Sequence, residues 1–444
     1  MEAITEKQTI KSESEPSSNK IIEYFCNLSY DESWSFSSLT QRHTTYITHS
    51  YHRYPAKFIP QLARRLVEEY TMPSDLVCEP FMGSGTALVE AIVAGRWAVG
   101  VDINPVAWLI SKAKTTPVNP EKLEKEFNSL ISDVRASISK TQRLDEKKII
   151  PYIPKNERID YWFTPEVKNA LGIILARIKQ VKDENVRLFF LCGFSHILKN
   201  CSIWLMGSTK PTRDFKKAIP NPIEIFEKHI KAMTRKNKEF YQLLSQNINC
   251  VVECQDARKL PVENNSVTLI VTSPPYVTSY EHADIHQLTA LWLEYIDSLT
   301  EFRKRFIGTA YYTDKQINVD SDIGTSCVKE LELKDNKKAK EVEVYFGEMR
   351  ECFLEMFRVL KSGGKACIVI GNTSFKGVEV PNAEVFVEQM INMGFKLHKV
   401  IKRLIPSKIL PQIRDVTTGR FTSPKNGNKT LAYPHEFIII MEKP

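Results

Sequence analysis

Short apolar runs alternate with amphipathic stretches in two parts of the chain, and a long charged stretch separates them. Asp75-Leu76-Val77-Cys78-Glu79 reads as a buried strand that ends in Pro80-Phe81-Met82-Gly83-Ser84-Gly85-Thr86. An amphipathic helix over 60–70 precedes it. A helix over 87–94 follows and stops at Gly95; the next strand, 97–101, ends at Asp102-Ile103-Asn104-Pro105. Strand, glycine turn, helix and acid-terminated strand make half of a nucleotide-binding α/β unit. From about 115 to 249 the pattern is helical, charged and punctuated by prolines. Strands resume at 251–254, before Gln255-Asp256-Ala257-Arg258, and at 267–271. A second insertion covers about 278–343. Beyond it Phe346, Met349, Phe353, Met356, Phe357 and Leu360 mark one helix face. Gly363-Gly364 then turns into a strand over 366–370. A helix over 382–393 and strands over 397–405 and 437–441 complete the alternation.

The strand at 267–271 runs into Thr272-Ser273-Pro274-Pro275-Tyr276. Neither proline can donate to a ladder, and each restricts the residue before it. The strand therefore stops in a stiff extended edge, at the end where open α/β sheets bind ligands. The Ser273 hydroxyl, the backbone carbonyls and the face of Tyr276 would suit a flat, amino-bearing group such as a nucleobase. The plainer alternative is an ordinary loop with a rim aromatic.

Gly83 and Gly85 allow a ligand close to the backbone where strand turns into helix, and helix N–H groups there favour an anionic or polar ligand. Leu88 stands where a dinucleotide fingerprint needs its third glycine, and Thr86 where a Walker loop needs lysine. Both phosphate readings are weak. Glu79 and Asp102, at the ends of adjacent strands, suit the amino-acid end and the ribose of S-adenosylmethionine. Asp256, at the next strand end, could accept from the adenine amino group. The competing reading is a glycine turn with strand-end acids.

Composition adds limits. With 42% hydrophobic and 26% charged residues, 444 residues make an ordinary globular chain longer than one typical domain. No apolar stretch is long enough for a bilayer, and no signal-peptide pattern opens the chain. The nine cysteines form no Cys-x-x-Cys pair, which fits a reducing, cytoplasmic setting; Cys250 and Cys254 read as core positions of one strand. No metal site is indicated. His282 and His286 read as helix surface or pocket wall. Residues 1–20 are polar and read as a disordered tail.

A net charge of +8 permits a nucleic-acid partner without demanding one. Basic residues cluster at Lys210, Arg213, Lys216 and Lys217, at Lys228, Lys231, Arg235, Lys236 and Lys238, at Arg303, Lys304 and Arg305, and from Arg414 to Lys429. Each run could be a solvated face. The loop 207–214 and the segment 414–429 are the candidates for facing DNA, through Lys210, Arg213, Arg414 and Arg420.

Glu79-Pro80-Phe81-Met82-Gly83-Ser84-Gly85-Thr86 followed by Thr272-Ser273-Pro274-Pro275-Tyr276 resembles the amino-methylating DNA methyltransferases. The Ser-Pro-Pro-Tyr form is typical of their N4-cytosine branch. His52-Arg53-Tyr54-Pro55-Ala56-Lys57-Phe58 resembles the family's additional cofactor-side motif. The resemblance covers about 51–115 and 250–444, and weakly the intervening insertion. It implies an α/β fold, the Rossmann-like, seven-stranded mixed sheet of S-adenosylmethionine-dependent methyltransferases. The catalytic domain would span 21–114 and 250–444, with a large helical insertion, 115–249, as a possible DNA-recognition region and a second insertion at 278–343.

By the same resemblance Lys57, Phe58, Glu79, Pro80, Phe81, Gly83, Gly85, Thr86, Asp102, Ile103, Asp256 and Ala257 would bind S-adenosylmethionine. Ser273, Pro274, Pro275 and Tyr276 would form the catalytic edge. The Ser273 hydroxyl and Pro274 carbonyl accept from the amino group, and Tyr276 stacks on the base. Transfer is a direct displacement, and no Pro-Cys pair is present for methylation at carbon-5. The expected substrate is duplex DNA, with the target base flipped out, and the expected role is as partner of a restriction endonuclease; a monomer is favoured. Adenine N6 is the alternative target, although that branch usually begins the motif with Asp. RNA or protein methylation and a non-catalytic DNA-binding regulator are further readings.

Overall fold

The computed structural model describes residues 17–55, 57–138, 149–208, 210–244, 248–277, 282–309, 317–405, 413–415, 422–423, 425–431 and 435–444. The chain divides into two compact units. One holds Met1–Ser37, Val262–Val277 and Tyr312–Pro444, the other Ser38–Pro261 and Thr278–Tyr311. Seven strands form one mixed sheet: β1 (Leu76–Glu79), β2 (Trp97–Val101), β3 (Cys250–Glu253), β4 (Val267–Thr272), β5 (Leu360–Ile370), β6 (Lys396–Leu404) and β7 (His435–Glu442). Their order is β3-β2-β1-β4-β5-β7-β6. This is the expected α/β methyltransferase architecture.

In the glycine-loop unit, β1 and β3 both run parallel to the central β2, and Gly100 faces Glu79 on one side and Val252 on the other. Parallel pairing brings the carboxyl ends of the three strands to one edge, where Glu79, Val101 and Glu253 lie. The helix Thr86–Val93 joins β1 to β2 and is buried along nearly its whole length, as its apolar sequence demands. Pro105 opens the helix Pro105–Thr115, with the Asn104 side chain accepting from the Val106 N–H as its cap.

Among the described residues of 115–249 the ordered segments are helices, the longest being Pro222–Leu243, with one isolated bridge between Trp204 and Arg213. Their apolar faces close a core that includes Leu171, Ile174, Phe190, Phe194, Phe226 and Ile230. Cys254 departs from expectation. It is exposed, because β3 ends one residue earlier at Glu253, while Cys250 is half-buried.

In the proline-motif unit, β4 runs parallel to β5, while β7 lies antiparallel to both β5 and β6. The expected glycine turn before β5 is instead a bulge inside a longer strand. Val267 pairs with Leu360 and Leu269 with Lys365, and the extra residues are accommodated by Gly363 at φ 75°. Leu360 therefore belongs to β5, whereas Phe346, Met349, Phe353 and Met356 are buried on the helix Asn336–Val359. Residues 18–20, grouped with the polar tail by composition, form the first turn of the helix Ser18–Cys26. Among the described residues no helix is long and apolar enough to cross a membrane.

Candidate functional site

The glycine loop is held from both sides. Gly83 and Gly85 adopt φ values of +46° and +66°, which L side chains rarely take. A Cβ on Gly85 would lie 2.8 Å from Ser111 Oγ, and one on Gly83 would lie 3.2 Å from the Tyr54 ring. Asp102, at the end of β2, accepts from the Gly83 N–H at 3.0 Å and the Asn104 N–H at 2.9 Å. Desolvation pushes its carboxyl up to about 6, against the opposing pull of these two donors. Glu79 is 3% exposed at the end of β1.

Beneath the loop, Ser111 donates to the Gly83 carbonyl at 2.9 Å, and buried Lys114 donates to the Ser84 carbonyl. Burial lowers the Lys114 ammonium to about 7. Two strand-end carboxyls beside a bare backbone turn fit a ligand with a cationic amino-acid end and sugar hydroxyls better than a pyrophosphate.

The other residues expected to bind the cofactor are less uniform. Asp256 follows β3 and is gripped by Arg258, with Nη2 at 2.7 Å from Oδ2 and Nε at 3.0 Å from Oδ1. The acceptor role expected of it towards an adenine amino group would thus be shared with an arginine. Ala257 is buried, and the Ile103 carbonyl lies 3.8 Å from Cys254 Sγ. Pro80 and Thr86 are buried, and Phe58 and Phe81 are half-buried. Lys57 points its ammonium at the His49 carbonyl, 3.1 Å away, and burial lowers its pKa.

In the proline-motif unit, Thr272 ends β4 fully buried, Pro274 is buried, and Ser273, Pro275 and Tyr276 are half-buried. The Pro275 carbonyl accepts the Tyr345 hydroxyl at 2.8 Å. Among the described residues, neither Ser273 Oγ nor the Pro274 carbonyl has a hydrogen-bond partner. Tyr276 lies over Gly371, where an added Cβ would come within 3.6 Å of its hydroxyl. Gly371 is fixed in turn, because Asn382 donates to its carbonyl at 2.9 Å.

The chain matches the DNA methylase family model over residues 3–113 and 267–444. It is 30% identical over 426 residues to the Type II methyltransferase M.MvaI of Kocuria varians, covering 90% of this chain and 92% of that one. The chain belongs to the DNA methylase family. The Type II methyltransferase M.BsoBI of Geobacillus stearothermophilus is 21% identical over 405 residues, covering 79% of each chain. Among solved structures, a geranyl diphosphate methyltransferase in complex with SAM is similar with a TM-score of 0.31 and 9% identity, over 87% of this chain and 86% of that one. The cofactor of this DNA methylase is S-adenosylmethionine.

Several residues around the site carried no recognised signal in the sequence of the methylase. Tyr54 covers Gly83 and packs against His286, ring centroids 5.0 Å apart; it sits inside the His52–Phe58 motif, which could have flagged it. His286, one of the two histidines read from the sequence as helix surface or pocket wall, is buried, its Nδ1 2.7 Å from Asn104 Nδ2. Ser111 and Lys114 looked like ordinary helix positions.

The basic runs also sort differently from their charge. Lys231, Lys236 and Lys304 form ion pairs with Glu227, Glu239 and Glu301 on their own helices, and Arg303 pairs with Asp284. Lys210 and Arg213 are exposed on one loop. Arg414 lies in the short strand Ile413–Asp415, paired with Lys429–Leu431, and Arg420 lies outside the described residues. Among the described residues no cluster of His, Cys, Asp and Glu could hold a metal ion.

Proposed function

We propose that this DNA methylase methylates the exocyclic N4 of cytosine in duplex DNA, as the protective partner of a restriction endonuclease. One observation carries the reading of an amino group as the target. The edge after β4 keeps two acceptors, Ser273 Oγ and the Pro274 carbonyl, without partners among the described residues, while Tyr345 occupies the Pro275 carbonyl. Two acceptors match the two hydrogens of an exocyclic amino group, which cytosine and adenine both carry. Accepting from both hydrogens draws its nitrogen out of conjugation with the ring and towards a nucleophilic geometry. A neutral hydroxyl at Ser273, where the adenine branch usually carries Asp, favours cytosine.

S-adenosylmethionine supplies a methyl group on a positively charged sulfur, already activated for displacement. Glu79 and Asp102 would hold its amino-acid end and ribose, with Lys57, Phe58, Pro80, Phe81, Gly83, Gly85, Thr86, Ile103, Asp256 and Ala257 completing the cradle. Tyr276, backed by Gly371, would stack on the base and hold its plane. A paired base cannot reach such an edge, so the target flips out at a cost of a few kcal/mol. Phosphate contacts from the helical segment 115–249 offset that cost. Digesting DNA methylated by the protein and weighing the modified nucleoside decides the target. N4-methylcytosine is expected; N6-methyladenine alone overturns the cytosine assignment.

A further inference from the structure

The basic loop over 203–217 uses its cations in two ways. Lys217 Nζ donates to the carbonyls of Lys199, Ser202 and Trp204 at 2.7, 2.6 and 2.9 Å. Lys199 Nζ reaches the carbonyls of Met206 and Ser208 at 3.2 and 2.8 Å. Both lysines therefore fasten the loop from within. Backbone bonds from Leu205 to Thr212 at 2.9 Å and from Asp214 to Ile203 at 2.7 Å close it further. Underneath, buried Trp204 stacks on Trp162 with centroids 5.0 Å apart. Such cross-fastening makes the described residues of the loop a stiff platform.

On the platform, the Arg213 guanidinium lies 4.0 Å from the ring of Tyr161 and 4.6 Å from the ring of Phe215. Phe215 is nevertheless 74% exposed, and Tyr161 46%. Lys210 and Lys216 flank them in solvent, and the neighbouring acid, Asp214, accepts the Lys216 N–H at 3.0 Å. Two exposed aromatic rings gathered on one guanidinium form a small apolar patch rather than a lone surface residue. A flat ring braced by a cation and ringed by positive charge matches nucleic acid: bases stack on the ring, and phosphates meet the cations.

We propose that Phe215 is a wedge that stacks among the bases of duplex DNA, braced by Arg213 and Tyr161, with Lys210 and Lys216 on the flanking phosphates. Insertion of an apolar side chain between base steps unstacks them. Phe215 thereby stabilises the opened duplex from which the target is taken. This inference rests on the reading that the substrate is duplex DNA and that the target base leaves the stack.

The test uses the full-length protein and a duplex carrying its own site, found by sequencing the DNA it modifies. Methyl transfer is compared on that duplex and on one with an abasic position opposite the target. Phe215→Ala is expected to lose about tenfold in kcat/KM on the paired duplex and less than about threefold on the pre-opened one. Phe215→Trp should keep transfer on both, and calorimetric cofactor affinity should stay unchanged in each variant. Unaltered transfer to the paired duplex, or equal loss on both duplexes, overturns the wedge. Loss of self-association with transfer intact overturns it too and makes the patch a contact between copies. Should the wild-type protein methylate no duplex, the substrate reading itself fails. The wedge is then judged by binding of random-sequence duplex, where unchanged affinity in Phe215→Ala removes it.

Discussion

The Tyr345 hydroxyl donates to the Pro275 carbonyl at 2.8 Å and so ties the helix Asn336–Val359 to the edge after β4. Tyr345 is fully buried, so this bond has no water to replace it. Tyr345→Phe should loosen the proline edge and lower kcat by about tenfold, because small misplacements of acceptors are expensive in rate. Cofactor affinity should not move. Tyr276→Ala should go further, raising KM for DNA and lowering kcat, again with cofactor affinity intact. Calorimetry with S-adenosylhomocysteine beside steady-state kinetics checks both; a matching loss of cofactor affinity would contradict the roles assigned here.

Glycine-loop substitutions should show the opposite split. Gly85→Ala places a methyl group 2.8 Å from Ser111 Oγ at a φ of +66°, and Gly83→Val drives into the Tyr54 ring. Both should abolish measurable cofactor binding. Gly95→Ala is the control, since its φ is +77° but no atom lies within 4 Å of the added Cβ. It should cost stability on the order of 1 kcal/mol, seen as a lower melting temperature, with cofactor affinity kept. Loss of binding in Gly95→Ala would show that strain alone, rather than the crowded cradle, explains the loop variants.

Features built from neighbouring residues could be read directly. The strand, turn and helix around Gly83 and Gly85 are set by a local pattern, and so is the stop that Pro274 and Pro275 impose on β4. Contacts made across long separations could not. Tyr345 lies 70 residues beyond Pro275, and only tertiary packing brings its hydroxyl there. Lys217 counted as one more positive charge in a basic run, whereas three backbone carbonyls surround it. Gly363-Gly364 shows a different failure: paired glycines signal a turn or a bulge equally well, and the pairing of β4 with β5 selects the bulge.

Asp256 offers a test of how the cofactor's base is held. Arg258 grips its carboxylate through Nη2 and Nε, and the Arg258 N–H also donates to it at 2.9 Å. This grip orients the carboxylate. Arg258→Ala should free the carboxylate to rotate and weaken S-adenosylhomocysteine binding by about threefold, and Asp256→Ala should weaken it by about tenfold. Wild-type affinity in Asp256→Ala would remove this residue from the site.

Asp102 should make cofactor affinity depend on pH. Its folded-state carboxyl titrates at about 6 because desolvation outweighs the Gly83 and Asn104 donors. Ribose hydroxyls donate, so they need the ionised form. Affinity should therefore be full above pH 7 and fall as pH drops through 6. Stability of the cofactor-free protein carries the opposite sign at this residue. A carboxyl raised above its ordinary value of 3.8 stabilises the fold below that value, and the contribution is lost as pH rises through 6. Asp102→Asn should weaken binding at neutral pH and flatten both dependences relative to wild type. Calorimetry and melting curves between pH 5 and 8 measure the two together. A variant whose affinity still falls below pH 6 like the wild type would assign the titration to another group.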